Sequence, residues 1–204
     1  MLTVVLATAN RHKARELKTL LAVRGIRWRS LAEFPTVPTA RETGRTFEAN
    51  ARQKAEAAAR ATGRLALADD SGLEVDALDG APGVRSARFA GRHGDDRANT
   101  LALLRRLRGL PAARRRARYR CALALADPSG LIAVTRGAWT GRIAERPRGR
   151  GGFGYDPVFF LPELGKTMAE LASEIKNQLS HRGRAAKKVY RLLKKKPFYL
   201  FKDK

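Results

Sequence analysis

LTVVLATANRHKARELKTLL, residues 2–21, reads as a strand, a short loop and a helix in immediate succession. Leu2 to Ala7 is an apolar, β-branched run of strand length, and Asn10 stands where a helix cap is needed. Behind it Leu17, Leu20 and Leu21 recur at helical spacing. A strand feeding a helix is how an α/β chain opens, and the rest of the sequence repeats both element types. Thr46 can cap a second helix with Phe47, Ala51, Ala55 and Ala58 on one stripe, although the capping-box position Ala49 lacks its Glu. Leu65 to Ala68 and Leu73 to Val75 read as two strands parted by a turn at Asp69, Asp70, Ser71 and Gly72, which would leave two acids at the tip of a sheet.

Beyond Gly94 a helix is expected from about Asp95 to Arg108, with Leu101, Leu104 and Leu107 facing inward. Tyr119, Cys121, Leu123 and Leu125 alternate as a strand, and Leu131 to Trp139 pairs with it as a hairpin across Asp127 to Gly130. A glycine-rich loop, Gly149 to Gly154, leads through Tyr155, Asp156 and Pro157 into the apolar run Val158 to Leu161. Met168 to Lys176 and His181 to Leu193 read as the last helices. Helices and strands mixed without strict alternation argue for an α/β fold with a mixed sheet, as one domain over residues 1–204 with a basic tail from about Lys187 to Lys204.

Composition narrows the function. With 204 residues and 44% hydrophobic content the chain can bury an ordinary core. No run approaches the ~18 apolar residues of a membrane span, and the N-terminus lacks the zones of a secretory signal, so a cytoplasmic protein without membrane attachment is expected. Cys121 is the single cysteine, so it can form no internal disulfide and any metal must be held by oxygen ligands. The formal charge of +23 invites a nucleic-acid reading. Yet the charge is spread along the chain, dense only at Arg105 to Arg120 and in the tail, and no aromatic interleaving marks a base-stacking platform. Most of it is read as a solvated face.

Chemistry concentrates in three places. In LATANRHK, residues 6–13, helix N-terminal N–H groups, the Thr8 hydroxyl and the Lys13 ammonium would suit a polyphosphate; the ordinary alternative is a capping Asn10 and a solvated Lys13. In ADDSGLEVDAL, residues 68–78, one carboxylate could hold Mg2+ while its neighbour deprotonates water, with Glu42 a further acidic group; the alternative is a plain Asp-rich turn. In GGFGYDPVFF, residues 151–160, aromatics on a flexible loop could stack on a purine, and Asp156 could accept from ring N–H groups or brace the loop. Lys176, His181 and Arg182 supply donors nearby in sequence, against the alternative of a core Phe and a satisfied His. Donors facing a 6-oxo group would favour hypoxanthine and xanthine over adenine.

Taken together, LATANRHKARE, TFEANARQKA, ADDSGLEVDALDGAPGVRSARFAG, GGFGYDPVF and KNQLSHRGRA, in this order over nearly the whole chain, closely resemble the inosine triphosphate pyrophosphatase family, the non-canonical purine triphosphate pyrophosphatases. The resemblance implies a homodimer whose protomer has a long mixed sheet between two lobes, with substrate in a central cleft. It implies Mg2+-dependent hydrolysis of inosine, deoxyinosine and xanthosine triphosphates to monophosphate and pyrophosphate, which cleans the nucleotide pool. Carried over by position, Thr8, Ala9, Asn10, Arg11, His12 and Lys13 resemble the substrate loop, and Asp70 resembles the proton acceptor that also touches the metal. Asp69 and Glu42 would support the metal, and Ser71 would touch substrate. Phe153, Gly154, Tyr155 and Asp156 resemble the base-binding loop, with Lys176, His181 and Arg182 as the remaining nucleotide ligands. Two departures stand out: Ala49 where an acid often precedes Asn50, and a charge far more positive than expected, which leaves room for accessory polyanion affinity through Arg114 to Arg120 or the tail. The rival readings are a pyrophosphatase of another base specificity and a basic nucleic-acid-binding protein.

Overall fold

The computed structural model describes residues 1–37, 40 and 42–195, so the end of the expected basic tail, 196–204, lies outside the described residues. The chain opens as its first twenty residues dictate: β1 (Leu2–Leu6), then α1 (Arg11–Leu20), then β2 (Ile26–Ser30). β2 lies parallel to β1, in register from Leu2 opposite Ile26 to Leu6 opposite Ser30. α2 (Phe47–Thr62) begins at Thr46, whose side chain accepts from the Ala49 N–H, and ends at Gly63 in the left-handed region. It returns the chain to β3 (Leu65–Val75), which pairs parallel with β1 on the side away from β2.

α3 (Asp96–Arg106), β4 (Arg116–Asp127), β5 (Gly130–Ile143), β6 (Phe159–Leu161), β7 (Lys166–Thr167), α4 (Ser173–Leu179) and α5 (His181–Lys195) complete the order. The seven strands form one sheet in the order β2-β1-β3-β4-β5-β6-β7. β6 is antiparallel to both β5 and β7, so the sheet is mixed, as expected. β4 and β5 are neighbours joined by Pro128 and Ser129, a connection short enough to join only antiparallel strands. The Asp127 carboxylate tightens that turn by accepting from the N–H groups of Ser129 and Gly130.

The chain divides into two compact units, each with its own core. The first comprises Met1–Asp70, Cys121–Gly137 and Arg182–Lys204. It buries Val4, Leu6, Leu17, Leu21, Leu65, Leu67, Leu123, Leu125 and Val189 together, each contributing about 1.5–3 kcal/mol of transfer free energy. The second comprises Ser71–Arg120 and Ala138–His181, with Leu73, Leu103, Leu107, Tyr119, Trp139, Phe159 and Met168 at its centre.

Some sequence expectations are corrected. No turn interrupts the acids: Asp69, Asp70, Ser71 and Gly72 lie inside the single strand β3, not at a sheet tip. Every residue from Leu65 to Asp70 is buried, the continuous pattern of a strand covered on both faces. Turn chemistry loses here because both carboxylates are engaged by side chains from other elements. Leu101 does not face inward but is 46% exposed; Leu107 is buried and Leu104 half-buried against the core as expected, and Leu103 completes the inward stripe. That stripe was disguised by Asn99, one turn ahead of Leu103, which is buried and accepts the Ala90 N–H. The helix expected over Met168 to Lys176 is a single turn, Met168–Glu170, an extended Leu171, and then α4. β2 was not anticipated, since only alternate residues of IRWRS are apolar and the edge position asks for little burial.

Candidate active site

The loop between β1 and α1 is folded around its own Asn10. The Asn10 Oδ1 accepts from the N–H groups of His12 (2.9 Å) and Lys13 (3.1 Å), and the Asn10 N–H donates to Thr8 Oγ1. Asn10 thus caps α1 and engages both of these helix N-terminal donors. Ala9, Arg11 and His12 are exposed, and Thr8 is half-buried.

One turn into α1, Lys13 extends its ammonium to Asp69, with Nζ at 2.5 Å from Oδ1. Asp69 is buried, and its Oδ2 also accepts from Arg182 Nε at 3.0 Å and from the Cys121 thiol at 3.2 Å. Arg182, itself buried, reaches Glu16 with its other end, Nη1 to Oε2 at 2.5 Å. Burial by itself would raise the Asp69 pKa, but Lys13 and Arg182 overcome it and hold the carboxyl well below the usual range. Burial, reinforced by the Asp69 charge, pushes the Cys121 thiol well up.

The adjacent Asp70 is in the opposite condition. Burial raises its pKa, against Lys54 and Lys13, which pull it down. Its Oδ1 accepts from Lys54 Nζ at 2.9 Å and its Oδ2 from Asn50 Nδ2 at 3.2 Å. The Lys54 ammonium also binds Glu42 Oε1 at 2.9 Å, so two carboxylates converge on one cation. The Asn50 Oδ1 accepts the Gly44 N–H at 2.7 Å, tying the segment after Glu42 to α2. Asn50 and Lys54 were not singled out in the sequence, though a signal was present: they lie four apart on the inward face of α2, where Ala51, Ala55 and Ala58 are buried.

Among the described residues no group of three or more Asp, Glu, His or Cys side chains could hold a metal. Asp69, expected to support one, is engaged by Lys13 and Arg182. Glu42 and Asp70 still fit a hard divalent ion, because their oxygens already share one positive charge and Mg2+ commonly takes only one or two carboxylates besides substrate phosphates.

In the second unit the glycine-rich loop is organised by Asp156, which is buried. Its Oδ2 accepts from the Phe153 N–H at 3.0 Å and from Lys176 Nζ at 2.8 Å, and its Oδ1 from the Tyr119 hydroxyl at 3.2 Å. Of its two expected uses, bracing the loop is the one seen. A Cβ at Gly152, whose φ is +75°, would run into that carboxylate. The Gly154 N–H donates to Asp96. Tyr155, expected to face the base, is buried and donates its hydroxyl to the Ser86 carbonyl. Phe153 is only half-buried, with Lys176 Nζ 4.8 Å from its ring centroid, and remains the aromatic able to meet a flat ligand. His181 is buried and stacked on Tyr119, ring centroids 4.6 Å apart. Ser71 is half-buried on β3.

The structure thus brings Lys13, Asp69, Asp70, Glu42 and Arg182 together in the first unit, and Phe153, Gly154, Asp156, Lys176 and His181 in the second. The sequence model of the Ham1 family matches residues 4–192. A dITP/XTP pyrophosphatase of Geobacillus kaustophilus (strain HTA426) is 56% identical over 189 residues, 93% of each chain. One of Bacillus subtilis (strain 168) is 48% identical over 193 residues, 95% of this chain and 98% of that one. A solved structure of a HAM1 protein from Coxiella burnetii superposes with a TM-score of 0.88 at 41% identity, covering 96% of this chain and 100% of the other.

Proposed function

Since the chain belongs to the Ham1 family, we propose that it hydrolyses non-canonical purine nucleoside triphosphates, those of deoxyinosine, inosine and xanthosine, to the monophosphate and pyrophosphate. The observation that carries the reading is the arrangement of two neighbouring acids in β3, Asp69 buried between Lys13 and Arg182 and Asp70 held by Lys54 and Asn50. Asp69 is fixed as an anion that anchors Lys13, while Asp70 has a raised proton affinity, as a general base requires.

Asp70 accepts the proton of a water molecule as its oxygen attacks the α-phosphorus. The bond from that phosphorus to the bridging oxygen breaks, and pyrophosphate departs with the electron pair. Lys54 and Lys13 lie where negative charge must be balanced, and their positions are set before substrate arrives. Glu42 and Asp70 would hold Mg2+, which when bound supplies charge neutralisation to the triphosphate. Arg182 acts through Asp69, keeping it ionised and aimed at Lys13. The base-reading role falls to the loop of the second unit, with Phe153 as the flat surface and Asp156 and Lys176 holding the loop in shape.

Action on the nucleotide pool implies a cytoplasmic enzyme; among the described residues no helix is long and apolar enough to cross a membrane. The proposed enzyme works as a homodimer. The test is pyrophosphate release from a panel of purine and pyrimidine triphosphates with and without Mg2+. Release from inosine, deoxyinosine and xanthosine triphosphates above all others is expected. A preference for pyrimidines would move the reading to a relative of different base specificity, and tight, steeply salt-dependent DNA binding without pyrophosphate release would replace it with a nucleic-acid-binding role.

A further inference from the structure

Apart from the residues given a role above, the second unit carries a groove of about 560 Å³ beside the C-terminal end of α3. Its apolar wall includes Leu101, Leu104 and Leu110, and Leu101 is 46% exposed, a large hydrophobic surface for a helix with a buried face available. Three guanidinium groups border the same space: Arg105, Arg108 and Arg115.

Arg115 is unusual among them, being 4% exposed. Its Nε donates to the Ile143 carbonyl at 2.7 Å, Nη1 to Leu107 at 2.7 Å and Nη2 to Ala144 at 2.9 Å. Carbonyls orient a guanidinium without neutralising it, and two of its five N–H groups are left over. No carboxylate lies within ion-pair distance of Arg115, Arg105 or Arg108 among the described residues, and Glu145 is the one acid bordering the groove. Burial pulls the Arg115 pKa down while Glu145 props it up, the condition of a cation short of counter-charge.

We propose that this groove binds a small organic anion, its phosphate or carboxylate head held by the three arginines and a flat or apolar body laid over Leu101 and Leu104. The volume suits such a ligand, and arginine forks favour planar or multidentate oxyanions. Glu145 selects a body that carries an N–H or O–H donor, and a nucleoside monophosphate has all of these features.

The test uses the full chain with labelled leucine methyl groups, titrated with inosine monophosphate, octanoate and orthophosphate. The Leu101 and Leu104 methyl resonances shift with the first, or with the first two, and at least about tenfold more ligand is needed in an Arg105→Ala, Arg108→Ala double variant. Both arginines are exposed, so the variant keeps the wild-type melting temperature, whereas Arg115→Ala would remove three backbone contacts. The inference is overturned if these methyls ignore both organic anions, or respond equally well to orthophosphate alone. It is equally overturned if the double variant titrates like the wild type, or if the methyls respond only to dilution, as when a second copy covers the groove. Pyrophosphate release by the double variant is unchanged in every case, so failure here leaves the proposed function standing.

Discussion

Replacing Asp69 by Asn removes the charge on which two cations depend. Arg182, 2% exposed, retains Glu16, and Lys13, with 15% of its side chain exposed, can turn toward water, so the loss falls mainly on the buried Arg182 to Asp69 pair. Deleting one partner of a buried ion pair costs about 3–5 kcal/mol, and because Glu16 remains the lower figure applies, about 3 kcal/mol. For a chain of this size that is a fall in melting temperature of ~6–12 °C, measurable by scanning calorimetry. The pH dependence adds a second check. The folded Asp69 pKa is depressed, so its stabilisation is complete above the unfolded carboxylate value of about 3.9 and is lost as pH falls through the folded value. The gap between wild type and variant should therefore be constant from neutral pH down to about 5 and close only below about 4. A variant that melts within about 2 °C of wild type at neutral pH would show that Asp69 is no anchor.

Asp70→Asn should reduce turnover by about 10²–10⁴ with little change in apparent substrate affinity, and near-normal turnover would remove Asp70 from the mechanism. The wild-type rate should climb with pH as Asp70 loses its proton, and an acid limb that survives in the Asn variant belongs to another group. Gly152→Ala, forced to φ +75° against Asp156, should cost about 1–3 kcal/mol and raise the KM for inosine triphosphate more than it lowers kcat, whereas unchanged KM would place base recognition elsewhere. Chelating divalent ions should abolish pyrophosphate release while leaving the melting temperature nearly unchanged, because Lys54 already bridges Glu42 and Asp70; full activity in chelator contradicts the metal proposal.

Local rules carried the sequence reading where a side chain satisfies its own neighbourhood. Asn10 and Thr46 cap the helices they precede, and the Asp127 turn joins the hairpin, because these contacts span only two or three residues. The reading failed where distant partners decide. Asp69 to Gly72 has the composition of a turn, yet it stays in β3 because Lys13, Arg182, Lys54 and Asn50 come from remote positions to meet the acids. Leu101 was misplaced for a like reason: a buried Asn99 takes a place that hydrophobic periodicity reserves for an apolar residue. Motif resemblance located the acids, the first-loop lysine and the glycine loop, but could not tell which members touch a ligand and which brace those that do. The burial of Tyr155 and His181, and their contacts with Ser86 and Tyr119, became visible only in the fold, because those partners lie far away in sequence.

The thiol of Cys121 donates to Asp69 in the first core, and its raised pKa keeps it in the unreactive protonated form. As the one sulfhydryl of the sequence, it is a natural stopwatch. An alkylating reagent can mark the chain only during moments when the network around Asp69 comes apart, so the labelling rate counts those openings directly, at a single position and without any engineered probe.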